Sequence, residues 1–583
     1  MVALPDRDQL LLLLKPACSE APDSGFAINT RSSCFTFIKV PRLGSETYHL
    51  KIGHYTGGRA KIEVKASQIA GLRYAVATFR QLLHFYGNSL PECTVQDAPA
   101  FPVRGVMLDI SRDRVPTLEQ IHEVVEQLAG WKINHLQLYT EHTFAYRGHE
   151  VVWQGFDPFT PEEIEDLDYH CQSVGITLAA NQSTFGHMER WLRQRAYMHL
   201  AETTGRWRCL GRRMTGPFSL APADPMSLEL VEDLISQLKY CFRSGLLNIN
   251  CDETYDVGQG RSRALVKREG FGKVYSRFVR KIAEAAMSRG FQPLFWADMA
   301  LSHPEALDDL PRDMIALAWG YEPDADFDYW GQMLSEHGFK WWVCPGTSSW
   351  RSITGRTTER RENIRQAVRS GIKGGADGLL VTDWGDSGHR QQWPVSLIGL
   401  AESAAAMWNP ELTLSEEALS RHAFGDATGK VAGWLSWLGD ADLPLRQAGG
   451  KRDDSGLHTP IRNASALFKE LDRRFGERGR IGLPEDWIQV EARLEELSSS
   501  LPRTRDELVI RELRQSAREA LFAARLALLR RGHYHKRTAM RVRLKEDLEE
   551  MIREHRALWQ RRSRYGGLED SCRHYEHLRQ ELA

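Results

Sequence analysis

Two adjacent acids, Asp252 and Glu253, end the apolar run LLNINCDE. Carboxyl pairs do general acid/base work: one acid protonates a leaving oxygen while a second group stabilises positive charge on carbon. Adjacent residues on an ideal strand face opposite sides of the sheet. Both acids therefore serve one site only where the strand ends and the backbone twists out of the ladder; otherwise they are a solvated turn pair. Aromatic residues accompany them. The chain has 17 Trp, none before residue 101 and 13 from Trp131 to Trp408. An indole is costly to expose and makes a flat wall for ring-shaped ligands.

The elements that must position these groups are legible in the same region. Apolar runs recur at 104–111, 135–142, 175–182, 246–253, 292–299, 314–321, 340–346 and 378–385. Amphipathic stretches such as LEQIHEVVEQLAGW and YSRFVRKIAEAAMSRG lie between several of them. Runs without strict alternation suit strands covered on both faces. About eight β-then-α units predict an α/β fold, a TIM (β/α)8 barrel. An open doubly wound sheet would carry a Gly-rich turn after its first strand; Ser-Arg-Asp-Arg-Val-Pro stands there instead.

Three regions follow. Residues 1–100 read as a small α+β domain, with β-type runs FTFIKV, TYHLKIG and AKIEVKAS and one amphipathic helix. The helix carries Leu72, Ala75, Val76, Phe79, Leu82 and Leu83 on one face. Prolines near 97–102 mark its end. Residues 101–411 form the barrel. Residues 412–583 are Arg-, Glu- and Leu-rich with long helical periodicity, an α-helical domain with solvated charge faces or a homodimer contact.

In a TIM barrel the working residues sit at the C-terminal strand ends. That rule selects Asp109, Tyr139, Glu141, His142, Asn181, His187, Asp252, Glu253, Trp296, Asp298, Trp319, Tyr321, Trp350, Asp383, Trp384 and Asp386. No Lys is among them, which argues against Schiff-base chemistry. No H-x-H or H-E-x-x-H spacing occurs, so neither a metal nor another cofactor is expected. Acids combined with stacking indoles are what glycoside hydrolysis asks for. A balance of 76 Lys+Arg against 77 Asp+Glu argues against a nucleic-acid coat or a polybasic membrane binder. The nine Cys include no C-x-x-C pair. The start, with Asp6 and Asp8 before a five-leucine run, does not read as a secretory signal, so a cytoplasmic location is expected. No apolar stretch approaches the ~20 residues of a spanning helix.

Four motifs in order carry a resemblance: Arg104-Gly-Val-Met-Leu-Asp109, Phe185-Gly-His187, Asp252-Glu253 and Trp384-Gly-Asp386. They resemble glycoside hydrolase family 20, the β-N-acetylhexosaminidases. TFGHME, NCDETYDVGQG and TDWGDSGH look most like the hexosaminidase D branch. The likeness spans about 45–410. It implies an exo-acting, retaining hydrolase that removes terminal GlcNAc or GalNAc from a glycan or glycoside. Its catalysis would be substrate-assisted, through an oxazolinium intermediate. Glu253 would be the general acid/base. Asp252 would orient and polarise the 2-acetamido group, and its negative charge would favour the protonated form of Glu253. Arg104 would hydrogen-bond sugar hydroxyls; its place before the strand leaves a barrel-bottom ion pair as the lesser alternative. His187 would stand behind the catalytic pair. Trp296, Trp319 and Trp384 would line the acetamido pocket and sugar floor, Asp386 would accept the 4- and 6-hydroxyls, and Tyr139 and Glu141 would lie near the rim.

Two departures stand out. Many family members have Gly-Gly before Asp-Glu, where this chain has Asn250-Cys251. Many have a Tyr-x-Asp near the seventh strand, which here reads WWVCPGTSSW. Tyr321 or Tyr139 is left to bond the acetamido carbonyl, with Trp350 closing the pocket. The rival readings are a non-hydrolytic amino-sugar-binding barrel and a conventional retaining glycosidase with an enzyme nucleophile.

Overall fold

The computed structural model describes residues 34–54, 60–87, 90–449, 460–472 and 481–583. The N-terminal leucine run, with the signal reading it supports, and Cys18 lie outside the described residues. A four-stranded sheet comes first: β1 (Cys34–Lys39), β2 (Tyr48–His54), β3 (Ala60–Ala66) and β4 (Cys93–Asp97), in the order β1-β3-β2-β4. β1 and β3 are parallel, while β2 runs antiparallel to β3 and β4. The helix Ile69–Tyr86 covers one face, burying Leu72, Ala75, Val76 and Phe79. Leu82 and Leu83 on the same stripe stay partly buried against that core.

Eight parallel strands then close into a barrel. They are β5 (Val103–Asp109), β6 (His135–Tyr139), β7 (Thr177–Asn181), β10 (Leu246–Asn248), β11 (Gln292–Trp296), β12 (Ile315–Trp319), β13 (Lys340–Cys344) and β14 (Gly378–Asp383). Seven lie inside the apolar runs, and β5 begins one residue ahead of its run. The ring closes where β14 pairs with β5, from Gly378 opposite Val103 to Asp383 opposite Leu108. The intervening helices obey ordinary end chemistry. Thr160 and Glu163 form a reciprocal capping box with Pro161 in the first turn, and Gly175 ends that helix in the left-handed region. One insertion was not anticipated: β8 (Arg206–Cys209) and β9 (Arg212–Thr215) form an antiparallel hairpin between β7 and β10.

The last barrel helix ends at Trp408, and helices continue to Leu582. The longest of these are Glu507–Arg530 and Arg537–Arg562. They share a core with barrel residues such as Ile353, Val395 and Ile398. The same region seals the rim of the barrel. The Arg564 amide donates to the Val115 carbonyl (2.8 Å), the Thr117 amide to the Arg562 carbonyl (3.0 Å), and the Ser571 hydroxyl to the Gly388 carbonyl (2.5 Å). Among the described residues, no helix is long and apolar enough to cross a membrane.

Candidate active site

The site is built where β10 stops. Only Leu246–Asn248 keep strand pairing, and the chain then turns through positive φ at Asn250 (58°), Cys251 (68°) and Glu253 (51°). This departure from the ladder frees Asp252 and Glu253 from the opposite-faces rule. Side chains and carbonyls pin the turn. The Thr184 hydroxyl donates to the Ile249 carbonyl (2.6 Å) and the Tyr275 hydroxyl to the Cys251 carbonyl (3.0 Å). The Glu253 amide donates to Asp298 Oδ2 (3.1 Å). A buried ladder below it fixes the register: Asn181 and Asn248 both donate to Gln137 Oε1, at 2.9 and 3.0 Å. Asn250 donates to Asn181 Oδ1 (2.9 Å) and accepts from the Trp296 indole (2.6 Å).

His187 Nε2 lies 3.3 Å from Asp252 Oδ2 and 3.4 Å from Glu253 Oε2. Burial works against its charge, but the Asp252 carboxylate and hydrogen bonds to both acids hold its pKa well above the usual histidine value. Gly186 brings this loop in: a Cβ there would sit 2.4 Å from the Asp252 carbonyl oxygen. Asp252 is 6 % exposed, and its Oδ1 has no protein hydrogen-bond partner. Glu253 is more open, with a side chain 38 % exposed. Asp298 completes a three-carboxyl cluster. Burial, then the charges of Asp252 and Glu253, push its pKa well above the usual carboxylate range.

An aromatic wall stands beside the acids. Trp384 packs against Tyr139 (4.8 Å) and Trp296 (6.0 Å), and its indole donates to the Tyr321 hydroxyl (2.8 Å). Tyr321 stacks on Trp319 (5.1 Å, 22°), with the buried Trp350 edge-on behind it (5.0 Å, 87°). Tyr139 donates to Glu141 Oε1 (3.0 Å) and accepts from Ser183 (3.2 Å), so its hydroxyl is spent.

Arg104 must be corrected. It is the second residue of β5, at the opposite end of the barrel, and is fully buried. Its guanidinium donates to both Glu46 oxygens (2.9 and 3.1 Å), the Tyr74 hydroxyl (2.8 Å) and the Phe101 and Lys132 carbonyls (both 2.8 Å). It ties the small domain to the barrel floor, as its place at the start of the strand allowed. The rim arginine is Arg112, which the sequence reading missed. It contacts Asp109 (3.0 Å), Asp386 (3.2 Å), Glu141 (3.6 Å) and His187 Nδ1 (3.4 Å), and lies over the Tyr139 and Trp384 rings. Its position just after β5 was the available signal, since strand polarity puts function at that end. Asp109 joins the first and last strands here, accepting the amides of Ser111 (2.9 Å), Arg112 (3.0 Å) and Gly385 (2.9 Å).

A parallel eight-stranded barrel with acids, an arginine and indoles at its C-terminal rim has the layout of a carbohydrate-active site. Comparison with known proteins agrees. The model for glycosyl hydrolase family 20, domain 2, matches residues 15–98. Human hexosaminidase D is 26% identical over 305 residues, covering 49% of this chain and 60% of that protein. A β-hexosaminidase of Vibrio furnissii is 23% identical over 313 residues, covering 48% and 49%. This chain thus spans roughly half the length of these relatives. Among solved structures, the family 20 exo-β-N-acetylglucosaminidase of Vibrio harveyi with N-acetylglucosamine shares the fold at TM-score 0.56 and 18% identity, covering 74% of this chain and 72% of that one. The Flavobacterium johnsoniae chitobiase shares it at TM-score 0.57 and 16% identity, covering 100% and 95%. The chain thus resembles glycoside hydrolase family 20 proteins in its first domain, and in sequence over about half its length.

Proposed function

We propose that the chain is an exo-acting, retaining β-N-acetylhexosaminidase that uses the substrate's own acetamido group as nucleophile. The observation that carries this reading is the Asp252–His187–Glu253 cluster beside the Trp296, Trp319 and Trp384 wall. Glu253, the more open acid, protonates the glycosidic oxygen. The unpartnered Oδ1 of Asp252 accepts the acetamido N–H. The acetamido oxygen then attacks the anomeric carbon as the bond to the aglycone breaks, forming an oxazolinium whose charge Asp252 stabilises. Water opens the ring, giving its proton to Glu253, and configuration is retained. Arg112 and Asp386 bond the sugar hydroxyls. Tyr321 replaces the tyrosine that many relatives carry on the seventh strand: its oxygen accepts from Trp384, and its hydrogen turns from the Thr382 hydroxyl to the acetamido carbonyl when the sugar binds.

The test is hydrolysis of 4-nitrophenyl N-acetyl-β-glucosaminide and its galacto epimer. The reading expects turnover of at least one. In Glu253→Gln, a loss of about 10²-fold or more is expected for poor leaving groups, as for removal of a general acid. A folded protein that turns over neither substrate would overturn the proposal.

A further inference from the structure

The Arg206–Thr215 hairpin carries charge that the reaction above does not use. It is seated on the site by aromatic contacts. The buried Trp207 packs on Phe218 (5.4 Å), and Phe218 packs on His187 (4.8 Å), the residue between the two acids. Its other edge is tied to the chain just past Glu253. The Arg208 amide donates to Gln259 Oε1 (2.9 Å), and the Gln259 side-chain amide donates to the carbonyls of Arg208 (2.8 Å) and Tyr255 (2.5 Å). The hairpin therefore borders the Glu253 side of the mouth. That is the side on which a protonated leaving group departs.

Four of its residues from 206 to 213 are arginines: Arg206, Arg208, Arg212 and Arg213, all exposed. None forms a salt bridge with a carboxylate among the described residues, whereas the neighbouring Arg190, Arg193 and Arg261 all do. The register makes this costly. Arg208 sits directly opposite Arg213, and like charges directly opposed across a strand pair are destabilising. Arg212 lies opposite Cys209, on the face that carries Trp207. The Cys209 thiol is pushed up by burial and next by the Glu253 charge, which places that end of the hairpin close to the general acid. A short, strained, basic hairpin at the leaving-group side is complementary to an anion.

We propose that this hairpin binds an anionic aglycone: the sugar to which the terminal N-acetylhexosamine is linked bears a carboxylate or sulfate. The inference rests on the hydrolase reading and names its substrate class. Guanidinium groups suit either anion because they donate paired, planar hydrogen bonds. Arg212 meets the first sugar, and Arg208 and Arg213 supply field for a longer anionic chain.

The experiment compares an oligosaccharide with N-acetylhexosamine β-linked to a uronic acid against N,N′-diacetylchitobiose, whose aglycone is neutral. Wild type is expected to favour the uronate in kcat/KM, with the preference falling as salt rises past about 0.1 M. The triple variant Arg208→Gln/Arg212→Gln/Arg213→Gln is expected to lose about tenfold or more of that ratio and most of its salt dependence. A ratio unchanged in the variant, or a wild type that prefers chitobiose, would overturn the proposal. A protein that hydrolyses neither oligosaccharide nor the aryl glycosides removes the hydrolase reading instead. Calorimetry of Glu253→Gln protein with the uronate oligosaccharide then decides the hairpin separately: binding lost in the added triple variant supports it, and no binding, or binding that persists, contradicts it.

Discussion

Tyr139 and Tyr321 are two phenols of the aromatic wall beside the acids, and their hydrogen bonds differ. Tyr139 is committed to Glu141 and Ser183, while Tyr321 accepts from Trp384 and otherwise meets the Thr382 hydroxyl. Tyr321→Phe is expected to lower kcat/KM for 2-acetamido aryl glycosides about 10- to 100-fold while the fold, read by thermal melting, persists. A change below twofold would return the acetamido carbonyl to another donor. This choice was not legible in the sequence, because strand order places both phenols at the rim and only their partners tell them apart. Arg104 and Arg112 teach the same lesson in reverse. Arg104 is the second residue of β5, at its N-terminal end, and Arg112 follows its C-terminal end. Strand polarity outranks motif likeness in deciding which one reaches the rim.

At the scale of elements, the eight barrel strands were readable because each is buried on both faces and therefore uniformly apolar. The β8–β9 hairpin was not, since RWRCLGRRMT has almost no buried face to impose a pattern. Nor was the run of positive φ after β10, which needs the Asn250 side chain as a brace. Asn tolerates that region better than most residues and here bonds both Asn181 and Trp296. Asn250→Ala is expected to cost about 1–3 kcal/mol, since it strands the Trp296 N–H and forces Ala to a positive φ. Activity should fall further than the remaining folded fraction explains. Denaturant midpoints and kcat/KM on the same preparation check this, and unchanged values for both would show that the turn does not depend on the ladder.

Across the whole molecule, the C-terminal helices are part of the rim rather than an appendage. Arg190 is shared between Asp113, in the loop after β5, and Asp570 of the C-terminal region, at 3.3 and 2.9 Å. Burial first, partly offset by Arg190, pushes the Asp113 carboxyl from its ordinary 3.8 up to about 7. The folded state then holds a proton that the unfolded state has released, so this group's stabilisation is complete below about pH 4 and is lost as pH rises towards about 7. Asp113→Asn keeps a residue suited to its φ of 72° and removes the titration. The variant is expected to melt increasingly higher than wild type from pH 5 to about pH 7 and to hold that difference above it; a pH-independent difference would contradict the assignment. Sequence periodicity revealed these helices but not where they dock, because the contacts that seal the rim include single polar groups such as Ser571 on Gly388, which leave no periodic mark. The central claim is that the substrate's acetamido oxygen, oriented by Asp252, is the nucleophile. It is tested most directly by kcat/KM for aryl glycosides whose N-acetyl group carries zero, one, two or three fluorines. Each fluorine weakens that oxygen, so a steep, monotonic fall is predicted; a flat series would contradict the account.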